Sequence, residues 1–207
     1  MKSIIFDIDG TIWDVRNEVA LAWIDVIKEN TDWEITFDAK RLGSLFGKTM
    51  TVIFNTLYPE VPEEDFVRIR ELIYVKQKEY LLKYKPAMYE GIEDVFKKLY
   101  EKYDLYIVTN AQSGYIETLF EVTGIKKYFK DWLCFGDTNA PKEVTIMKLM
   151  ERNNIAKEEA VYVGDTQGDA DSCKIAGIPM VYAGYGLGQV EAPWKVINEP
   201  KELLEIL

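Results

Sequence analysis

Two carboxylates spaced two residues apart, Asp7 and Asp9, end the apolar run Ser3-Ile4-Ile5-Phe6, and Gly10-Thr11 then turns the chain. A short Ile-rich run bounded by Gly reads as a buried strand. Charges do not belong inside such a strand, so both acids sit where it ends. Residues two apart on an extended segment face the same way. Asp7 and Asp9 can therefore address one metal or one substrate together, and they offer the hard oxygen ligands that Mg2+ prefers.

Other polar residues also follow apolar runs: Thr109 and Asn110 after Leu105–Val108, and Asp165 and Asp169 after Ala160–Val163, while Lys142 opens a helical stretch behind Pro141. Each has an ordinary structural use when taken singly. Asp165 suits a turn or a helix N-cap, and Asp169 suits an exposed first helical turn. Thr109 suits a strand and Asn110 a turn, and Lys142 suits a solvated helix start. Lys148 is a weaker substitute for it.

Elements must bring these residues together. Helical periodicity covers residues from about 14 to 30, 37–46, 49–57 and 62–85, with Pro62 and Glu63-Glu64 at the start of the last segment. From residue 91 helices and strands alternate. Helices are predicted over 92–103, 113–123, 141–153, 168–176 and 200–207, and strands over 105–109, 132–135, 160–163 and 180–183. That rhythm predicts right-handed crossovers and a parallel sheet covered on both faces. In such a sheet, strand ends form the ligand site. The expected architecture is an α/β core, residues 1–13 and 86–207, interrupted by a helical insert, residues 14–85.

Composition narrows the chemistry. The 207 residues carry a net charge of −10 and no histidine. An acidic chain offers no basic footprint for nucleic acid or an anionic membrane. Without imidazole there is no Ser-His or Cys-His pair and no His-ligated zinc, so proton transfer falls to Asp, Glu, Lys, Tyr or metal-bound water. Cys134 and Cys173 make no disulfide framework and read as buried thiols. No apolar run approaches membrane-spanning length, and no signal peptide precedes Asp7. The expected compartment is the cytoplasm.

Asp7-Ile8-Asp9-Gly10-Thr11, Thr109-Asn110, Lys142 and Gly164-Asp165-Thr166-Gln167-Gly168-Asp169, in that order, resemble the haloacid dehalogenase-like (HAD) superfamily, in particular its phosphoglycolate phosphatase-like members of subfamily I with a type 1 helical cap. The resemblance covers essentially the whole chain. It implies a HAD-type Rossmannoid parallel sheet of strand order 5-4-1-2-3. It implies a Mg2+-dependent phosphomonoester hydrolase acting on a small phosphorylated metabolite. Asp7 would be the nucleophile and Asp9 the acid and base. Thr109 and the Asn110 backbone would hold phosphoryl oxygens, and Lys142 would neutralise charge. Mg2+ would be held by Asp7, the Asp9 carbonyl and Asp165, with Asp169 orienting metal-bound water or Lys142. Glu143 departs from the Pro that many members carry after the lysine.

In the insert, Lys48 beside Gly47 is expected to meet an anionic leaving group, with Arg16 and Arg41 as weaker candidates. Trp13 stands where relatives often have Leu. Gly184-Tyr185-Gly186-Leu187-Gly188 reads as a loop beside the site rather than a nucleotide loop. Two other readings stay open: a phosphomutase of the β-phosphoglucomutase type, and a non-enzymatic phospho-acceptor module. The expected assembly is a monomer or a weak homodimer.

Overall fold

The computed structural model describes all 207 residues. In chain order the strands and helices are β1 (Ser3–Phe6), α1 (Arg16–Asn30), α2 (Ala39–Gly43), α3 (Met50–Leu57), α4 (Glu63–Tyr84), α5 (Ile92–Leu99), β2 (Asp104–Thr109), α6 (Tyr115–Thr123), β3 (Phe129–Cys134), α7 (Phe135–Thr138), α8 (Lys142–Arg152), β4 (Ala160–Gly164), α9 (Gln167–Ala176), β5 (Met180–Ala183), β6 (Lys195–Ile197) and α10 (Leu203–Ile206).

The six strands form one parallel sheet in the order β3-β2-β1-β4-β5-β6. β1 lies at its centre, with Ile4 level with Leu105 on one side and Val161 on the other. The strands are apolar on both faces because both are covered. Ile4, Phe6, Ile107 and Val163 pack into the larger core, while Ile5, Tyr106, Val108 and Tyr162 point the other way into a smaller one under α8 and α9. The five-strand order expected from the sequence is present, and the structure adds a sixth strand. β6 is only three residues long, follows Pro193-Trp194 and lies at the sheet edge, so it carries too little alternation to read as a strand.

Boundaries moved at several places. β3 begins at Phe129 rather than Trp132, and Phe135 opens the turn of α7 instead of closing the strand. The helix expected over 37–46 shrinks to α2, whose N-cap Asp38 accepts from the Arg41 backbone N–H at 2.7 Å. Pro62 is the N-cap of α4 and precedes its first turn.

Helices α1 to α4 pack on one another around an aromatic seam. Phe54 stacks on Phe66 at 4.0 Å between centroids, and Trp23 meets Phe37 edge-on at 6.0 Å. The chain enters and leaves this helical part through a narrow neck. Trp13 bridges to Met88, and the Tyr89 N–H donates to the Ile12 carbonyl at 2.9 Å. No helix is long and apolar enough to cross a membrane.

Candidate active site

The carboxyl ends of β1, β2 and β4 converge, as the parallel order requires. Asp7 continues the ladder, its N–H donating to the Val163 carbonyl at 2.9 Å, so its side chain is fixed by the sheet itself. Lys142, the first residue of α8, is buried and places Nζ 3.1 Å from Asp7 Oδ1 and 2.5 Å from Asp169 Oδ1. Thr166 and Asp169 form a reciprocal capping box on α9, with the Thr166 hydroxyl donating to Asp169 Oδ2 at 2.6 Å. Both oxygens of Asp169 are therefore committed, one to the helix cap and one to the lysine. Burial opposes the Lys142 ammonium, but the Asp169 and Asp7 carboxylates outweigh it and hold its pKa above the ordinary value. Burial pushes the Asp7 carboxyl well up, and Lys142 works against that push.

Asp165 sits in a cradle of glycines. A Cβ on Gly10 would lie 2.1 Å from Asp165 Oδ2, and one on Gly186 would lie 2.3 Å from the Gly10 carbonyl and 2.4 Å from the Asp165 Cβ. Gly10 also has φ +83, which suits glycine alone. Leu187 and Gly188 donate backbone N–H groups to Asp165 Oδ2 at 2.8 and 3.1 Å. The Gly-rich stretch after β5 thus wraps a carboxylate.

The remaining oxygen, Asp165 Oδ1, is buried without a hydrogen-bond partner. Asp7, Asp165 and Asp169 each present an oxygen within 4.8 Å of the others. An orphaned carboxylate oxygen in an all-oxygen donor set fits a hard divalent cation. Burial and the Asp169 charge raise the Asp165 carboxyl to about 7, against the pull of the two N–H groups. A cation would reverse that shift.

Asp9 turns differently. Its Oδ1 accepts from the Tyr115 hydroxyl at 2.6 Å and the Trp13 indole N–H at 2.9 Å. Burial raises its carboxyl to about 6, and these two donors oppose the rise. Trp13 and Tyr115 also meet edge-on, 6.0 Å between centroids. Sequence marked Trp13 as unusual but gave no signal for Tyr115, one of many aromatic residues in the chain. The Thr11 hydroxyl is buried with no partner.

Asp7, Asp9, Thr109, Asn110, Tyr115 and Lys48 all line one cavity between the sheet edge and the helical part. The Asn110 amide donates to the Gly47 carbonyl at 2.7 Å, joining the end of β2 to the loop after α2. Lys48 is exposed at this cavity. Arg16 is tied to Asp14 by a two-pronged pair, with its Nη2 2.6 Å from Oδ2. Arg41 and Lys148 are exposed, and neither lines the cavity.

The sequence profile of the family described as haloacid dehalogenase-like hydrolase matches residues 4–183. A phosphoglycolate phosphatase of Aquifex aeolicus is 24% identical over 212 residues, all of this chain and 97% of that protein. A haloacid dehalogenase-like family hydrolase from Streptococcus pneumoniae superposes with a TM-score of 0.82 at 22% identity, covering 100% of this chain and 98% of that one. A hydrolase of the same family from Bacillus subtilis, solved bound to magnesium and described as revealing interdomain movement, superposes at TM-score 0.73 and 22% identity, covering 100% and 98%. These structural likenesses concern the fold.

Proposed function

The chain belongs to the haloacid dehalogenase-like hydrolases and is a phosphatase of that family; from that premise we propose that it is a Mg2+-dependent phosphomonoester hydrolase working through an aspartyl phosphate on a small phosphorylated metabolite. The observation that carries the proposal is the buried Lys142 ammonium spanning Asp7 and Asp169, with the unpartnered Asp165 oxygen beside them. That set supports reading Asp7 as the nucleophile, Lys142 as its counter-charge and the Asp165 oxygen as part of a cation seat.

Asp7 attacks phosphorus through a carboxylate oxygen. The new O–P bond forms as the bond to the alcohol oxygen breaks. Protonated Asp9 delivers its proton to the departing alkoxide. Water then attacks phosphorus, Asp9 takes a proton from it, the Asp7–phosphorus bond breaks, and inorganic phosphate leaves with Asp7 regenerated. Thr109 and the Asn110 backbone hold phosphoryl oxygens, and Lys142 offsets their charge against Asp7. The Asp7 and Asp165 carboxylates with the Asp9 carbonyl would hold Mg2+, which lowers the repulsion between phosphate dianion and carboxylates. Asp169 acts on Lys142, since both its oxygens are already engaged. Support for Asp9 as the proton carrier is its carboxyl near 6, which lets both forms exist near neutrality.

On this reading residues 14–85 form a cap domain over a core of residues 1–13 and 86–207, and Lys48 contacts substrate at its rim. The free thiols Cys134 and Cys173 are both buried, in keeping with a reducing cytoplasm, and the proposed assembly is a monomer or weak homodimer. The test is a panel of phosphorylated metabolites with Mg2+ and a chelator control, following inorganic phosphate. Steady phosphate release that stops with chelator is expected. An isomerised sugar phosphate without net release, or turnover that survives chelation, overturns the proposal.

A further inference from the structure

Five buried side-chain polar atoms have no hydrogen-bond partner: Thr11 Oγ1, Trp23 Nε1, Gln77 Oε1, Asn110 Oδ1 and Asp165 Oδ1. Folded proteins leave few such atoms unpaired, because each forfeits its hydration. Asp165 belongs to the cation seat. Trp23, Gln77 and Asn110 all line the cavity that opens onto Asp7 and Asp9. Asn110 stands at the phosphate end. Trp23 on α1 and Gln77 on α4 belong to the helical part and have no place in the chemistry just described. Trp23 is 1% exposed and Gln77 6%. A buried glutamine in a helix whose other buried residues are Phe66, Ile69, Ile73 and Leu81 needs a reason.

The rest of the wall supplies the context. Val19, Leu42, Phe46, Met50 and Ile53 make it apolar, and the cavity volume is about 60 Å³. The charged residues on the lining are Asp7 and Asp9 at the sheet edge and the exposed Lys48. Lys48, the one cation on the lining, is exposed, whereas Trp23 and Gln77 are buried. An anion pressed against these two side chains would lose water and gain only neutral donors from them. A neutral group would gain a donor from Trp23 and an acceptor plus an amide N–H from Gln77.

We propose that this cavity selects phosphate esters whose alcohol part is apolar along its length and ends in a neutral amide or hydroxyl, recognised by Trp23 Nε1 and Gln77. The inference rests on the phosphomonoesterase reading and makes it narrower: a carboxylate-ended ester such as phosphoglycolate is a poorer substrate than a neutral one of matched length. The Gln77 side chain acts on the alcohol end, so its effect is on selectivity among esters.

The experiment compares phosphate monoesters of straight-chain primary alcohols of four to six carbons in three forms: unsubstituted, ω-carboxamide and ω-carboxylate. Their primary alcohol leaving groups keep the demand at phosphorus similar, and the amide and carboxylate are near-isosteres. At the best chain length the amide is expected to have a KM about tenfold below the carboxylate, as one net hydrogen bond and an avoided buried charge allow. The amide-to-carboxylate ratio of kcat/KM should collapse in Gln77→Leu and shrink in Trp23→Phe, with thermal midpoints reported alongside to show that each variant is folded. Calorimetric binding of the same esters to Asp7→Asn gives the same ranking without turnover. A preference for the carboxylate, or an unchanged ratio in both folded variants, overturns the inference. If no ester and no aryl phosphate is hydrolysed, the phosphomonoesterase reading fails, and the binding ranking still decides the selectivity.

Discussion

At the scale of single residues, the site separates two aspartates by their partners. Asp7 faces Lys142, and Asp9 faces Tyr115 and Trp13. Asp7→Asn is expected to abolish turnover of an aryl phosphate, and Asp9→Asn to lower kcat by about 10²–10⁴. Either variant keeping most of its activity would contradict the assigned roles. Tyr115→Phe removes the hydroxyl that fixes Asp9 and keeps the ring; kcat should fall by roughly tenfold with KM little changed, more for alkyl than for aryl phosphates. An equal loss on both ester classes would show that Tyr115 acts only by packing. The raised carboxyls also fix a sign for pH. In metal-free protein, burial lifts Asp9 to about 6 and Asp165 to about 7. A carboxyl raised in the folded state favours folding fully below its unfolded value of about 4, and that contribution is lost as pH rises through the folded value. With chelator present, the thermal midpoint should therefore be higher at pH 5 than at pH 8, and Asp165→Asn should flatten the slope. Added Mg2+ needs ionised carboxylates, so its stabilisation should grow from pH 5 to pH 8. A Mg2+ shift that is larger at pH 5 contradicts the assignment of Asp165 as a ligand.

At the scale of elements, the parts that read clearly are those with both a pattern and a punctuating residue. β1 was legible because an apolar run stops at Asp7, whereas the N-cap of α9 is Thr166 rather than Asp165, whose carboxylate is turned to the backbone N–H groups of Leu187 and Gly188. β6 was not legible, since three residues at an edge carry no period. The core acids could be found because charges are costly inside a strand and so mark its end. Tyr115, Trp23 and Gln77 could not, because their roles follow from which helix faces meet across more than fifty residues of chain. The loop after β5 was visible as glycines, while its work on Asp165 is done by backbone N–H groups that no side-chain pattern reports. Gly186→Ala tests that work. Its added Cβ would press on the Gly10 carbonyl and on Asp165, so Mg2+ should bind at least tenfold more weakly in a protein that still folds. Unchanged Mg2+ affinity would show that the cradle is slack.

At the scale of the whole molecule, one parallel sheet carries the candidate site at its strand ends, and the helical part packs against it. The two parts touch at the neck beside Trp13, at the Asn110–Gly47 hydrogen bond and where α4 packs on α6. The placement of β1 has a consequence for how the chain reaches this state. It is synthesised before the other five strands of the sheet, yet Ile4 must wait for Leu105 and Val161, about one hundred and one hundred and sixty residues later, before it has neighbours. The helical insert needs only nearby contacts and is complete by Tyr84. On a ribosome, therefore, the insert can condense while the most apolar strand of the protein is still unpaired, and any delay before residue 164 emerges prolongs the exposure of a segment prone to wrong pairing.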